Sequence, residues 1–175
     1  MTVDAFKSFS KKQLILLNWW TDSSPYKNRD AIICDGSVRS GKTVCMFLSF
    51  IFWAFYMFSD SSFAVCGKTI TSLRRNIITP MLPMLRSLGF TYEELVSKNM
   101  IIIKKDGREN RFYIFGGKDE GSAALIQGMT LSGVMLDETA LMPRSFCEQA
   151  IARCSVDNSR LWFNCNPENP AHWFY

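Results

Sequence analysis

Histidine is almost missing from this chain: His172 is the only one in 175 residues. The six cysteines, Cys34, Cys45, Cys66, Cys147, Cys154 and Cys165, form no C-x-x-C pair. Together these shortages exclude the usual zinc ligand sets. The cysteines read instead as reduced packing residues of an intracellular protein, since most sit in apolar runs. Long apolar runs are also lacking. Val44 to Phe58 is the longest at 15 residues, short of the roughly 20 a membrane-spanning helix needs. Leu14-Ile15-Leu16-Leu17 is too short for a signal peptide and has no cleavage site. No internal repeat and no low-complexity segment is present. Charge of one sign is not in excess. The net charge of +4 permits binding to a polyanion without arguing for it. The basic residues do cluster locally, at Arg74-Arg75 and at Lys104, Lys105, Arg108 and Arg111. Each can be read as a DNA contact or as part of a solvated face.

What is present is a phosphate-binding pattern. Gly36-Ser37-Val38-Arg39-Ser40-Gly41-Lys42-Thr43 fits G-x-x-x-x-G-K-[ST] at every fixed position. Ala31–Asp35 before it reads as a buried strand, and Val44–Phe58 after it as a helix apolar on all sides, hence a core helix. Strand, glycine loop and helix is the context that makes the pattern a physical site. Backbone N–H groups of such a loop converge with a helix N-terminus and cradle a polyphosphate. Lys42 is expected to reach the β- and γ-phosphates, and the Thr43 hydroxyl to ligate Mg²⁺.

The stretch Leu131–Glu138 supplies a second half. An apolar strand delivers two adjacent carboxylates, Asp137 and Glu138, at its C-terminal end, where open α/β sheets bind ligands. Asp137 is expected to hold Mg²⁺ with Thr43, and Glu138 to orient and polarise the attacking water. This pair favours hydrolysis over transfer to a bound acceptor. No N-K-x-D guanine-specificity motif occurs. A third strand, Arg160–Cys165, ends in Asn164-Cys165-Asn166-Pro167, whose amides can contact a γ-phosphate or form a turn.

The remaining pattern places these motifs. Ser10 and Gln13 predict a capping box before a helix over Leu14–Trp20. Phe63–Cys66 reads as a strand. Thr69–Leu88 reads as a helix interrupted by Pro80 and Pro83, with a helical turn at Tyr92–Val96. Met100–Lys104 and Arg111–Phe115 flank Asp106-Gly107, a hairpin signal. Gly116–Gly121 reads as a flexible loop, Ala123–Gln127 as a short element and Arg144–Cys154 as a helix. Strands alternating with helices predict an α/β fold: a phosphate-loop NTPase with a mainly parallel central sheet flanked by helices, plus an antiparallel hairpin addition. Residues 1–175 read as one domain, with 1–30 as a lead-in.

The assembled motifs resemble a known family, the large terminase subunit of tailed bacteriophages, in its N-terminal ATPase part. The resemblance rests on Asp35–Thr43, Leu125-Ile126-Gln127-Gly128, Val134–Glu138 and Asn164–Pro167 followed by Pro170–Tyr175. It covers nearly the whole chain. It implies an ATP-driven motor that pumps double-stranded DNA into a procapsid in the host cell cytoplasm. The implied partners are the portal, the procapsid and the small terminase subunit, with a ring of copies when assembled and no membrane. The implied cofactors are ATP and Mg²⁺. By the same resemblance Gly36, Ser37, Val38, Arg39, Ser40, Gly41, Lys42 and Thr43 bind nucleotide, and Lys42, Arg39 and Glu138 act in catalysis. Thr43 and Asp137 hold the metal, and Asn164 and Asn166 couple hydrolysis to movement. Gln13 looks like the family's adenine-contacting glutamine, beside its plainer reading as a capping partner. Arg39, Arg74 and Arg75 stay open as rivals for an arginine finger. Full-length members carry a C-terminal nuclease domain, which these residues do not reach, so no nuclease activity is expected of them. A helicase or translocase of related fold, and a nucleotide-binding assembly module with little turnover, are the alternatives.

Overall fold

The computed structural model describes residues 9–36, 40–166 and 172–174. Seven strands form one sheet: β1 (Ala31–Asp35), β2 (Ser61–Gly67), β3 (Thr91–Leu95), β4 (Met100–Lys105), β5 (Arg108–Gly116), β6 (Gly133–Leu136) and β7 (Arg160–Cys165). Their spatial order is β1-β7-β6-β2-β5-β4-β3. Every pairing from β1 to β5 is parallel, and β4 and β3 extend the sheet in antiparallel fashion. The expected parallel sheet with a hairpin addition is the one observed.

Alternation along the strands sorts side chains onto two faces. Phe63, Val65, Phe112, Ile114, Met135 and Trp162 face one core, where helix α2 (Lys42–Met57) lies. Ala64, Cys66, Val134, Leu136 and Phe163 face a second core built with Phe146, Cys147 and Ala150 of α5 (Arg144–Ala152). Helix α2 is buried on nearly every side because α1 (Lys11–Asn18) packs on its outer surface. Its one interior hydroxyl is satisfied: Ser49 Oγ accepts from the indoles of Trp20 and Trp162, each at 3.2 Å. Gly133 is small by necessity, since a Cβ there would stand 2.6 Å from the Trp53 ring.

The hairpin turn has Asp106 at φ 50° and Gly107 at φ 77°, both left-handed, as the two-residue turn of twisted strands requires. The far edge departs from expectation. Thr91–Leu95 is strand β3, not a helical turn, and pairs with β4 from Thr91–Lys104 to Leu95–Met100. An apolar partner edge, Met100–Ile103, overrides the helix preference of Glu93 and Glu94.

The interrupted helix is also more specific than its prolines alone predict. It runs as α3 (Ile70–Leu73), a wider π-turn over Arg74–Ile78, and α4 (Thr79–Ser87). Pro80 has no N–H for the Asn76 carbonyl, and its ring would press on that carbonyl in a straight α-helix. The widened turn relieves this clash, with the Thr79 N–H reaching back to Arg74 O. The expected loop Gly116–Gly121 is shorter than its sequence suggests: Gly116 ends β5, and Glu120 and Gly121 already belong to a 3₁₀ turn over Glu120–Leu125, which Asp119 and Ser122 cap. All six cysteines are free thiols. Burial pushes Cys34, Cys147 and Cys154 up to about 12, so these are unreactive packing groups. No helix among the described residues is long and apolar enough to cross a membrane.

Candidate nucleotide site

The parallel strands end together at one edge, and the motifs meet there. Gly41 caps α2 with φ 77°, a left-handed conformation that glycine adopts without strain. A Cβ on Gly41 would also meet Gln13 Nε2 at 2.9 Å. Gln13 is thus laid across the loop. Its Nε2 donates to Ser40 O at 3.0 Å, while its Oε1 accepts from Ser10 N at 2.8 Å. The expected capping box forms, and the same side chain fastens α1 to the phosphate loop. Ser37, Val38 and Arg39 lie outside the described residues, as do Pro167, Pro170, Ala171 and Tyr175 of the last stretch.

Lys42 reaches back along the loop. Its Nζ donates to Gly36 O at 2.6 Å and to Asn166 Oδ1 at 3.2 Å. A second contact joins helix to strand tip. Asn164 Nδ2 donates to Thr43 Oγ1 at 3.0 Å and to Asp137 Oδ1 at 2.5 Å. Asp137 is 9% exposed and Asn164 5%. Burial is the chief cause that raises the Asp137 carboxyl from 3.8 to about 6. The Asn164 bond opposes that rise, Glu138 adds to it, and Lys42 and Thr43 oppose it. Asn164 Oδ1 is buried without a partner.

Glu138 follows at φ 51° and ψ 50°, left-handed although it is not glycine. For a side chain bearing a Cβ this costs about 1–2 kcal/mol. Strain of this kind collects at functional sites. The bend turns the chain sharply off β6 into a 3₁₀ turn, Thr139–Leu141. Thr139 locks that bend and is fully buried. Its hydroxyl lies 3.2 Å from Leu136 O and 3.1 Å from Asn164 O, tying the tips of β6 and β7.

These groups line a cavity of about 280 Å³: Ser40 to Val44, Asp137, Glu138, Asn164 and Asn166, with Asn76 and Ile77 opposite. A neighbouring cavity of about 470 Å³ includes Gln13, Ile15, Ile33 and Cys34 and shares Ser40 and Lys42 with the first. The first is lined about equally by polar and apolar surface and lies at the acid pair; the other is largely apolar and lies beside α1. Sequence reasoning did not find Asn76 or Thr139. Asn76 lies in the widened turn before Pro80, and Thr139 bonds where two strand tips converge.

The basic residues are mostly engaged elsewhere. Arg74 pairs with Glu94 at 3.2 Å, and Arg75 Nε donates to Asn76 Oδ1 at 3.1 Å. Lys104 pairs with Glu109 at 2.7 Å and Arg111 with Asp60 at 2.5 Å. Lys105 donates to Leu88 O at 2.5 Å, and Arg108 to Phe55 O at 2.6 Å and Tyr56 O at 2.9 Å. Each of the hairpin cations thus has a partner within the fold.

The family model for the terminase large subunit, T4likevirus-type, N-terminal part, matches residues 33–175. The chain belongs to the large-terminase family. It is 54% identical to the large terminase of a thermophilic bacteriophage, with a TM-score of 0.92 over 96% of this chain and 41% of that one. A structure of the same thermophilic-phage terminase in complex with ATP-γ-S is 51% identical, with a TM-score of 0.89 over 95% of this chain and 40% of that one. The ATPase domain of the Thermus phage P74-26 large terminase, 17% identical, shares the fold at a TM-score of 0.62, over 83% of this chain and 62% of that one. No curated protein matches the chain. The chain thus spans about 41% of the length of the thermophilic-phage large terminase. In open α/β sheets of this kind ligands bind at the C-terminal strand edge, which is where the motifs of this large-terminase chain meet.

Proposed function

We propose that residues 1–175 act as a single Mg²⁺-dependent ATPase domain of a packaging motor, hydrolysing ATP to drive double-stranded viral DNA into a procapsid. One observation carries this reading: Lys42, Thr43, Asp137, Glu138, Asn164 and Asn166, from three separate stretches, line one cavity. The thermophilic-phage terminase's complexes with ADP and ATP-γ-S support the nucleotide part.

The phosphates occupy the cavity at the acid pair, against the N-terminus of α2 and Lys42. Ser37, Val38 and Arg39 belong to the same phosphate-binding sequence pattern, and Arg39 is assigned a catalytic role. The nucleoside extends into the apolar cavity, where Gln13 meets the base from its position over Gly41. The donors facing the phosphates are hard oxygens, Thr43 Oγ1 and Asp137, which suit Mg²⁺ with its remaining positions left to water and phosphate. Bound there, Mg²⁺ would supply charge neutralisation for the transferring phosphoryl group. Glu138 orients the attacking water and takes its proton. Its strained bend aims the carboxylate away from β6 toward the cavity. Asn164 and Asn166 read the state of the site at the tip of β7. Lys42 bonds Asn166 and Thr43 bonds Asn164, so phosphate arrival at Lys42 bears on Asn166 and metal arrival at Thr43 bears on Asn164. Portal, procapsid, small subunit and neighbouring copies are the partners of the assembled motor.

The test is ATP turnover by this chain alone, then with DNA, procapsid and small subunit. Turnover that rises with procapsid supports the motor. Stimulation by DNA alone, with strand separation, would replace it by a helicase. Lys42→Ala is expected to weaken nucleotide binding by about 100-fold or more, since charge-assisted bonds to phosphate are lost. Wild-type affinity in that variant would remove Lys42 from the phosphate site.

A further inference from the structure

The Asn164 amide stands between the two groups assigned to the metal. Its Nδ2 is 3.0 Å from Thr43 Oγ1 and 2.5 Å from Asp137 Oδ1. One lone pair on each of these two oxygens therefore already faces an N–H hydrogen. From these contacts we propose that Asn164 is a positioning lock: its amide holds Thr43 and Asp137 together before the divalent cation arrives and is displaced when the cation binds. This rests on the Mg²⁺–nucleotide reading above and adds to it a competition between one side chain and the metal.

Three features support the lock. First, the amide orientation is dictated by Asp137. The reverse orientation would set the amide oxygen against a carboxylate. Second, the orientation leaves Asn164 Oδ1 buried and unpartnered. A buried unpaired carbonyl costs free energy, so the locked state is held by Asp137 and Thr43 against a standing penalty at the other end of the same amide. Release lets that oxygen find a donor. Third, only the side chain is poised to move. The backbone of Asn164 is held by Thr139 Oγ1 at its carbonyl, 3.1 Å away. The strand tip pairs in register with β1, Asn164 with Cys34 and Cys165 with Asp35. The lock thus links metal arrival to an amide in the strand tip with both a buried deficit and a ligand-facing donor.

The test uses the 175-residue chain with ADP as probe, and has a readout apart from turnover. With ¹⁵N-labelled asparagine, the side-chain amide signal of Asn164 is followed in ADP plus chelator and in ADP plus Mg²⁺, and identified by its loss in Asn164→Ala and in Asn164→Ser. The expected result is a signal that shifts on adding Mg²⁺ and not on adding ADP with chelator. In Asn164→Ala, the Mg²⁺ concentration that half-tightens ADP binding should fall about tenfold, the scale of a hydrogen bond to a charged group no longer broken. An Asn164 signal unchanged by Mg²⁺, or a variant needing as much Mg²⁺ as wild type, overturns the lock. The wild-type spectrum, with the Asn164 amide also assigned through its connectivities to its own backbone, decides this even if the variants fold poorly. Wild-type chain that binds no ADP in either condition would overturn the nucleotide reading itself.

Discussion

The strand tips and the far hairpin make opposite use of polar residues. At the hairpin end, charges are numerous and local accounts close. Lys104 has Glu109, Arg111 has Asp60, and Arg108 closes the last carbonyls of α2. Asn110, fully buried, is satisfied at both ends: its Oδ1 accepts from Ser61 N at 3.0 Å and its Nδ2 donates to Phe58 O at 3.2 Å. At the strand tips, charges are few and the accounts stay open. Asp137 is lifted to about 6, Asn164 Oδ1 has no partner and Glu138 sits in a left-handed bend. A dense cluster of charge is thus the weaker sign of function here. The stronger sign is the convergence at one edge of a raised carboxyl, an unpartnered amide oxygen and a left-handed glutamate, which an incoming ligand can satisfy together; single unpartnered atoms also occur in the core, at Trp19 and Trp53.

That contrast can be broken by measurement. The largest effect is expected from Glu138→Gln, which keeps ATP binding and lowers turnover by roughly 10³-fold, within the range for a lost general base. Steady-state turnover beside a binding titration checks it, and wild-type turnover would remove Glu138 from the chemistry. Asn110→Ala should do the reverse: unfolding free energy falls by about 2 kcal/mol as buried partners go unpaired, while turnover per folded molecule stays near wild type. Denaturant melts with an activity measurement separate the two. Arg108→Ala should cost about 1 kcal/mol in the same melts and leave salt-sensitive DNA affinity within about twofold. A large loss of DNA affinity would return the hairpin cluster to function.

The smallest effect is in pH. Asp137 has its carboxyl raised from 3.8 to about 6 in the folded chain without metal. The folded state therefore binds this proton more readily than the unfolded one. The stability this group contributes is full below about pH 3.8 and is lost as pH rises through about 6. Thermal melts in chelator at about pH 5 and about pH 8 should show a difference that Asp137→Asn reduces. An unchanged difference would mean that Asp137 is not the group left wanting a cation.

Much of the site was legible because its parts are local. The glycine loop, the acids ending an apolar strand and the capping pair Ser10–Gln13 each involve residues within one turn or one strand end, and short-range sterics and hydrogen bonding decide them. Gln13 shows the limit. Its capping role is local, whereas its contact with Ser40 O spans 27 residues and depends on how α1 packs on α2. Glu93 and Glu94 mislead for a related reason, since they favour a helix locally while β4 offers an edge that pairs them into a strand.

The sequence by itself determined the α/β class, the phosphate loop, the acid pair and the hairpin turn, because periodicity, glycine freedom and turn chemistry act over a few residues. Tertiary structure alone decided that Asn164 bridges Thr43 and Asp137, that Thr139 ties two strand tips, that Asn76 faces the cavity and that the hairpin cations are engaged. Those contacts join residues far apart in the chain. They depend on sheet order and on the desolvation that packing imposes, which no local pattern records.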